Sequence, residues 1–230
     1  MPARPDRASG PPSSRVNRLH YWYCSRDAWK RHVREDLVPP TLAGLELGSD
    51  VLEVGPGFGP ATEVLAQRTP RLTALEIDPV LAGSLRERLS GRVEVVEGDG
   101  TAMPFDDASF SSAFCFTMLH HVPSPEAQDR LFAEVQRVLR PGAPFSGTDS
   151  TGRGLGFALL HIADTRVVID PEGLGERLMA AGFVSAKISA GRDAFRFRAY
   201  TGVGNTRSPA AIFSESRFSG GASGHAQREL

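Results

Sequence analysis

Short apolar runs alternate with stretches of helical period along the middle of this chain. The runs read VLEV at 51–54, LTALEI at 72–77, VEVV at 93–96, SAFCF at 112–116 and, least apolar, PFSGT at 144–148. Helix starts carry a capping Asp or Ser ahead of a proline, at Asp78-Pro79, Ser124-Pro125 and Asp170-Pro171. Proline suits the first helical position because the N–H it lacks would have no partner there. After Ser124, Leu131, Val135, Val138 and Leu139 fall at i, i+4, i+7 and i+8, one apolar face that stops at Pro141-Gly142. After Asp170, Leu174, Leu178 and Ala181 make a similar face, and Gly182 ends it. Buried strands alternating with helices predict the α/β class, with a parallel sheet covered on both faces. The rhythm then changes. "SAKIS" and "AFRFRA" are joined only by "AGRD", too short for a parallel return, so this pair is antiparallel. The expected architecture is a doubly wound, mostly parallel seven-stranded sheet with an antiparallel C-terminal strand.

The flanks read differently. Residues 1–15 hold four prolines and three arginines and predict a disordered arm, and residues 201–230, with ten Gly or Ser, predict a flexible tail. Residues 16–47 predict a helical cap, with Ser25 capping a helix that carries Trp29, Val33 and Leu37 on one face. Tyr21, Trp22 and Tyr23 there suit either a lid over an apolar or aromatic ligand or a staple onto the core. The ordered body spans 48–200. The whole chain of 230 residues is 40% hydrophobic and 23% charged, which suits one globular domain with tails. A net charge of -1 gives no global case for a nucleic-acid or acidic-membrane partner, although basic residues outnumber acidic ones eight to two over 1–34. Cys24 and Cys115 have neither metal nor redox spacing and read as thiols in a reducing compartment. No apolar run reaches transmembrane length and no signal-peptide pattern opens the chain, so the expected address is the cytoplasm.

The first core strand runs into three alternate glycines, "VLEVGPGFGPATEVL". A tight strand-to-helix turn needs one glycine; Gly55, Gly57 and Gly59 together predict a ligand brought close to the backbone, at the N-terminus of a helix beginning with Pro60. The spacing is G-x-G-x-G with proline at 60, unlike the dinucleotide fingerprint G-x-G-x-x-G. Ahead of it Glu53 places a carboxylate at the strand end, where a ligand ammonium is the natural partner. The second strand ends "ALEIDP": Glu76, 21 residues past Gly55, is placed to accept ribose hydroxyls, and Asp78 to cap the next helix. The third ends "EGDGTAMPF", with Asp99 and Gly100 in a turn at the neighbouring strand tip.

In order, "VLEVGPGFG", "LEID", "GDGTAMPFDDASFSSAFCFTMLHHV" and "EVQRVLRPGAPF" resemble the motifs of class I S-adenosylmethionine-dependent methyltransferases of the small-molecule kind (methyltransferase domain 11-like), over about residues 48–148. The resemblance implies a Rossmann-like fold with S-adenosyl-L-methionine as cofactor, and a methyltransferase domain over 48–200. It places Glu53, Gly55, Gly57 and Gly59 at the methionine end, Glu76 on the ribose, Ile77 against the adenine, Asp99 with Gly100 at the adenine amino group, and Phe116 and Thr117 beside the methionine part. Ser111 stands where such proteins usually carry Asp, and Ala143 where "RPGG" is usual. The implied activity is in-line transfer of a methyl group to a small-molecule acceptor, apolar or aromatic, lipid-like or quinone-like ones included.

Methyl transfer from a sulfonium needs alignment first, and a general base only where the acceptor must lose a proton. Candidates over the strand ends are His120, His121, Asp149, Ser150, His161, Asp164 and Tyr21 or Tyr23, with His121, His161 and Asp149 foremost. No convincing metal-ligand set appears. Two rival readings remain: a methyltransferase-like binding or scaffold protein without turnover, and an NAD(P)-dependent oxidoreductase. The second needs a dyad such as Tyr-x-x-x-Lys, and neither Lys30 nor Lys187 lies four past a tyrosine. Nucleic-acid amino methylation calls for Asn/Asp-Pro-Pro-aromatic after strand four, where this chain has "FTMLHH".

Overall fold

A computed structural model describes residues 22–153 and 166–203. It opens with a helical cap: α1 (Asp27–His32) passes through a π-helical turn, Val33–Leu37, into α2 (Val38–Leu42). Pro39 and Pro40 have no N–H to give the carbonyls one turn back, and the ladder slips, with Val38 N–H bonding Val33 O five residues behind. The sheet then follows as β1 (Asp50–Val54), α3 (Pro60–Leu65), β2 (Arg71–Glu76), α4 (Pro79–Arg88), β3 (Glu94–Glu97) and β4 (Ser112–Phe116). A 3₁₀ turn, Leu119–His121, leads to α5 (Pro125–Val138), β5 (Pro144–Ser150), α6 (Pro171–Ala180), β6 (Ser185–Ala190) and β7 (Ala194–Tyr200).

The strands lie in the order β3-β2-β1-β4-β5-β7-β6. β1 to β5 are parallel, and β7 runs antiparallel between β5 and β6. The sheet is the seven-stranded, mostly parallel one expected. Chain order reverses between β1 and β4, which opens a crevice above their C-terminal ends. On one face a core of Phe132, Phe145, Phe183, Phe195 and Phe197 packs under α5 and α6; on the other, Val33, Leu42, Leu65, Phe114 and Phe116 pack under the cap and α3.

The helix starts behave as their sequences imply. Asp78 accepts from Val80 and Leu81 N–H, Ser124 from Ala127 N–H and Asp170 from Glu172 N–H. Ser25 does not cap α1: its hydroxyl donates to Trp22 O, and the cap position is Arg26, without a side-chain bond. β5 is the least apolar run yet sits mid-sheet, because Ser146 and Thr148 donate their hydroxyls to Phe197 O and Phe195 O of β7. Gly147 fits there alone, since a Cβ would lie 2.5 Å from Cys115 O and 2.8 Å from the Phe197 ring. Ser111 accepts Asp50 N–H and donates toward Leu47 O and Asp50 O, so it ties the starts of β1 and β4.

Candidate active site

The ends of β1 to β5 and the cap enclose a cleft of about 1440 Å³. Glu53, Gly55, Gly57, Glu76, Ile77, Asp99, Gly100, Phe116 and Thr117 all line it, and so do His120, His121 and Asp149. Gly59 does not. It holds φ 80° at the head of α3, and a Cβ there would meet Leu85 Cδ2 at 2.5 Å, so its requirement is packing. Gly57, also left-handed at φ 56°, would carry a Cβ with no atom within 4 Å and borders open cleft.

On the β1–β3 side three carboxylates follow one another along neighbouring strands. Glu53 is 1% exposed, and its Oε2 has no hydrogen-bond partner among the described residues. Burial pushes its carboxyl up to about 8, with the Glu76 charge adding to the rise and the Thr62 hydroxyl opposing it. Glu76 takes Gly57 N–H on Oε2 and Asp78 N–H on Oε1, each at 2.9 Å, and so holds the glycine loop against the next turn. Burial raises this carboxyl too, against the backbone N–H bonds that favour its charge. Each oxygen keeps a second lone pair for a ligand hydroxyl. Ile77 beside it is 44% exposed and lines the cleft, an apolar face for a flat ring. Asp99 Oδ1 accepts both Thr101 N–H and Thr101 Oγ1–H, which fixes the turn after β3.

The β4–β5 side is built otherwise. Thr117, just past β4, has φ 52°, a costly conformation for a β-branched residue, and is held by its N–H to Thr148 O at 2.8 Å. The turn after it presents His120, 4% exposed, whose Nδ1 lies 2.5 Å from Oδ1 of buried Asp149. Asp149 Oδ2 accepts the His120 main-chain N–H at 3.1 Å. The His121 ring lies 4.1 Å from that of His120, centroid to centroid. Tyr23, Trp29, Val33 and Leu37 of the cap line the cleft, so the cap wall is largely apolar. The cap is anchored by Arg34 to Glu63 of α3 at 2.6 Å and by Arg198 of β7, which donates to Thr41 O and Ala43 O. His161, Asp164 and Tyr21 lie outside the described residues. His120 is set apart from His121 only once the strands are paired: Phe116 pairs with Thr148, and the residues following each meet above the strand ends.

Residues 52–146 match the family model described as "Methyltransferase domain". The matched stretch runs from β1 into β5, the part of the sheet whose strand ends form the cleft. Over 108 residues the chain is 35% identical to a sterol 24-C-methyltransferase of Gibberella zeae, covering 44% of this chain and 28% of that protein. The chain spans 28–35% of the length of the first such curated relatives. Among solved structures, a protein of Pyrococcus horikoshii superposes with TM-score 0.64 at 20% identity, over 77% of this chain and 92% of that one. An N-methyltransferase of Haemonchus contortus, solved with S-adenosylhomocysteine and phosphomonomethylethanolamine, superposes with TM-score 0.57 at 14% identity, over 70% of this chain and 50% of that one. At these identities the likenesses show the fold alone. Among the described residues no three His, Cys, Asp or Glu side chains gather for a metal, and no helix is long and apolar enough to cross a membrane.

Proposed function

We propose that the protein is an S-adenosylmethionine-dependent methyltransferase acting on a small, largely apolar acceptor. The observation that carries this reading is Glu53: a buried carboxyl, one oxygen of which has no partner among the described residues, lining a cleft beside a glycine loop, suits a ligand ammonium. The residues present fit the cofactor. Glu53 with Gly55 and Gly57 would take the methionine end, Glu76 the ribose hydroxyls, Ile77 the adenine face, and Asp99 with Gly100 the adenine amino group. Phe116 and Thr117 would border the sulfur-bearing segment. When bound, the cofactor supplies an electrophilic methyl group. The chain's own part is to align the acceptor behind it and keep water out, tasks that fall to the strand-end wall and the apolar cap. An apolar acceptor is supported by Tyr23, Trp29, Val33 and Leu37 over the cleft and by the sterol methyltransferases among the relatives.

Calorimetric titration of S-adenosylmethionine, S-adenosylhomocysteine and NAD into the full chain tests this. Micromolar binding of the first two, weakened at least tenfold by Asp99→Ala or Glu53→Gln, is expected (about 1.4 kcal/mol or more). Binding of NAD in their place would return the oxidoreductase reading.

A further inference from the structure

We infer that the outer face of the helical cap docks on an anionic lipid surface, with Trp22 set among the head groups and Arg26 and Arg31 against their phosphates. The docking goes beyond the methyltransferase reading and is tested apart from it.

Charge is unevenly placed along the chain. Residues 1–34 hold eight Lys or Arg and two Asp; the whole chain holds 26 basic and 27 acidic residues, which leaves 18 against 25 for the remainder. A net charge of -1 is therefore a basic end on an acidic body, an asymmetry that turns one face toward an anionic partner. Four of those arginines and one aspartate stand in 1–21, directly ahead of the described cap. Within the cap, Arg34 is paired with Glu63 and Asp36 with His32. The other charged residues of 22–37 are Arg26, Lys30 and Arg31 against Asp27 and Glu35, so cations are in excess there too.

The same segment is short of burial. α1 has no buried residue, and half-buried Trp29 packs against the core. Trp22 is 53% exposed and outside the cleft wall, while Tyr23, 36% exposed, lines it. A staple onto the core would cover the Trp22 ring, and a lid would set it in the cleft wall; it does neither. A solvent-facing indole beside exposed guanidinium groups suits a lipid interface, where the ring takes the head-group layer and the cations meet phosphate.

Nucleic acid is the rival anion. Arg26 Cζ lies 4.5 Å over the Trp22 ring, so one face of the indole is covered and only the other is open to a stacked base. Entry among head groups needs the ring's apolar edge, which Arg26 leaves alone. Position decides as well. Tyr23, Cys24, Trp29 and His32 of this segment line the cleft, so a docked cap sets a largely apolar cleft beside the bilayer in which an apolar acceptor dissolves.

Flotation of the full chain is the test, with vesicles of phosphatidylcholine alone and others carrying about 30% phosphatidylglycerol. Melting points of the variants are taken first and should match the wild type, since the altered side chains are exposed. The wild type should bind the anionic vesicles at least about tenfold more tightly than the neutral ones, and lose most of that between about 0.1 M and about 0.5 M salt. Each cation near an anionic leaflet strengthens binding roughly fivefold, so Arg26→Gln with Arg31→Gln should weaken it about 25-fold. Trp22→Ala should weaken it about fivefold, and brominated lipid should quench wild-type tryptophan emission more than that of Trp22→Phe. No flotation with either vesicle, equal binding to both, or binding undiminished in the Arg and Trp variants overturns the assignment. A single-stranded oligonucleotide held more tightly than the vesicles, and lost in the same variants, makes this face a nucleic-acid contact and overturns it too. No readout uses a cofactor or an acceptor, so failure here leaves the methyltransferase reading untouched.

Discussion

Where β1, β2 and β3 end, the cleft is walled by glycine backbone and carboxylates; where β4 and β5 end, it is walled by rings, and a helical cap packed on β1, α3 and β4 covers it. On the first side Glu76 is held by Asp78 N–H and by Gly57 N–H, 19 residues back, and Asp99 by Thr101. Partners on the second side are far apart along the chain: His120 with Asp149, Gln128 with Val167 and Arg198 with Thr41. A nucleoside presents fixed hydroxyls and amines, and short motifs suffice to meet them. The other side is assembled by tertiary contacts, which lets its shape vary while the first side stays as it is. Each half therefore has its own way of failing.

Glu53 gives the largest expected effect. Its folded-state value of about 8 lies above the ordinary 4.5. Below 4.5 the folded and unfolded chains are both protonated there, and the group is neutral in its effect. Between the two values the folded chain keeps a proton that the unfolded chain has released, so stability falls as pH rises and the loss is complete above 8. The difference amounts to something on the order of 5 kcal/mol. Thermal melts of the wild type and Glu53→Gln from pH 5 to 8.5 should diverge by on the order of 10 °C at the alkaline end, the variant being the more stable. A ligand ammonium reverses the preference by favouring the carboxylate. S-adenosylhomocysteine should then bind the wild type more tightly as pH rises toward 8 and release a proton, read as a buffer-dependent binding enthalpy that Glu53→Gln lacks. Parallel melting curves would remove Glu53 from its role.

Across the cleft the corresponding weak point is Gln128, fully buried, whose amide joins the turn after β4 to Val167 and accepts from Arg177. Gln128→Ala takes the amide partner from Val167 O, while Leu119 O keeps Val122 N–H, and its cost should be about 2 kcal/mol, measured by urea unfolding. Nucleoside binding should suffer far less than stability, because nothing on the β1–β3 side touches that amide. An equal loss of both would mean that the halves are coupled.

The sheet and its antiparallel end were legible because burial on both faces leaves a period and a composition that survive in one sequence. Glu53, Glu76, Asp99 and the glycines stood out because each lies in a short motif at a strand end, and all but Gly59 do lie together in the cleft. Gly59 was drawn in by its spacing, although only the contact with Leu85 explains it. The Ser25 cap failed because a hydroxyl has a competing partner one turn back, the Trp22 carbonyl. β5 looked weak because its hydroxyl hydrogen bonds to β7 cannot be seen before the strands are paired. His120 stayed one candidate among several for the same reason: what sets it apart from His121 is the strand register that brings Asp149 alongside.

The glycine loop separates packing from binding within the first half. Gly59→Ala adds a methyl 2.5 Å from Leu85 Cδ2 at a left-handed position and should cost about 2–3 kcal/mol of stability. Gly57→Ala meets no atom and should cost only about 1 kcal/mol from its backbone, yet it places a methyl in the cleft and should weaken S-adenosylhomocysteine binding at least tenfold. Melts and calorimetry on the two variants should cross over. If Gly57→Ala binds normally, the ligand does not approach that backbone.

The smallest effect tests how the roof is fixed. Arg34 and Glu63 lie 2.6 Å apart, with side chains 37% and 31% exposed, so solvent screens the pair and Arg34→Ala should cost only about 0.5 kcal/mol, a melting shift of one or two degrees. Arg198 caps the α2 end independently through Thr41 O and Ala43 O, and the cap's apolar face stays packed against Leu65 and Phe114. Nucleoside affinity should therefore hold. Because Trp29 and Leu37 line the cleft from the same segment, KM for an apolar acceptor should rise two- to threefold with kcat unchanged, a difference worth about 0.5 kcal/mol. A large fall in S-adenosylhomocysteine affinity instead would show that the cap belongs to the nucleoside half, and the boundary between the two halves of the cleft would have to move.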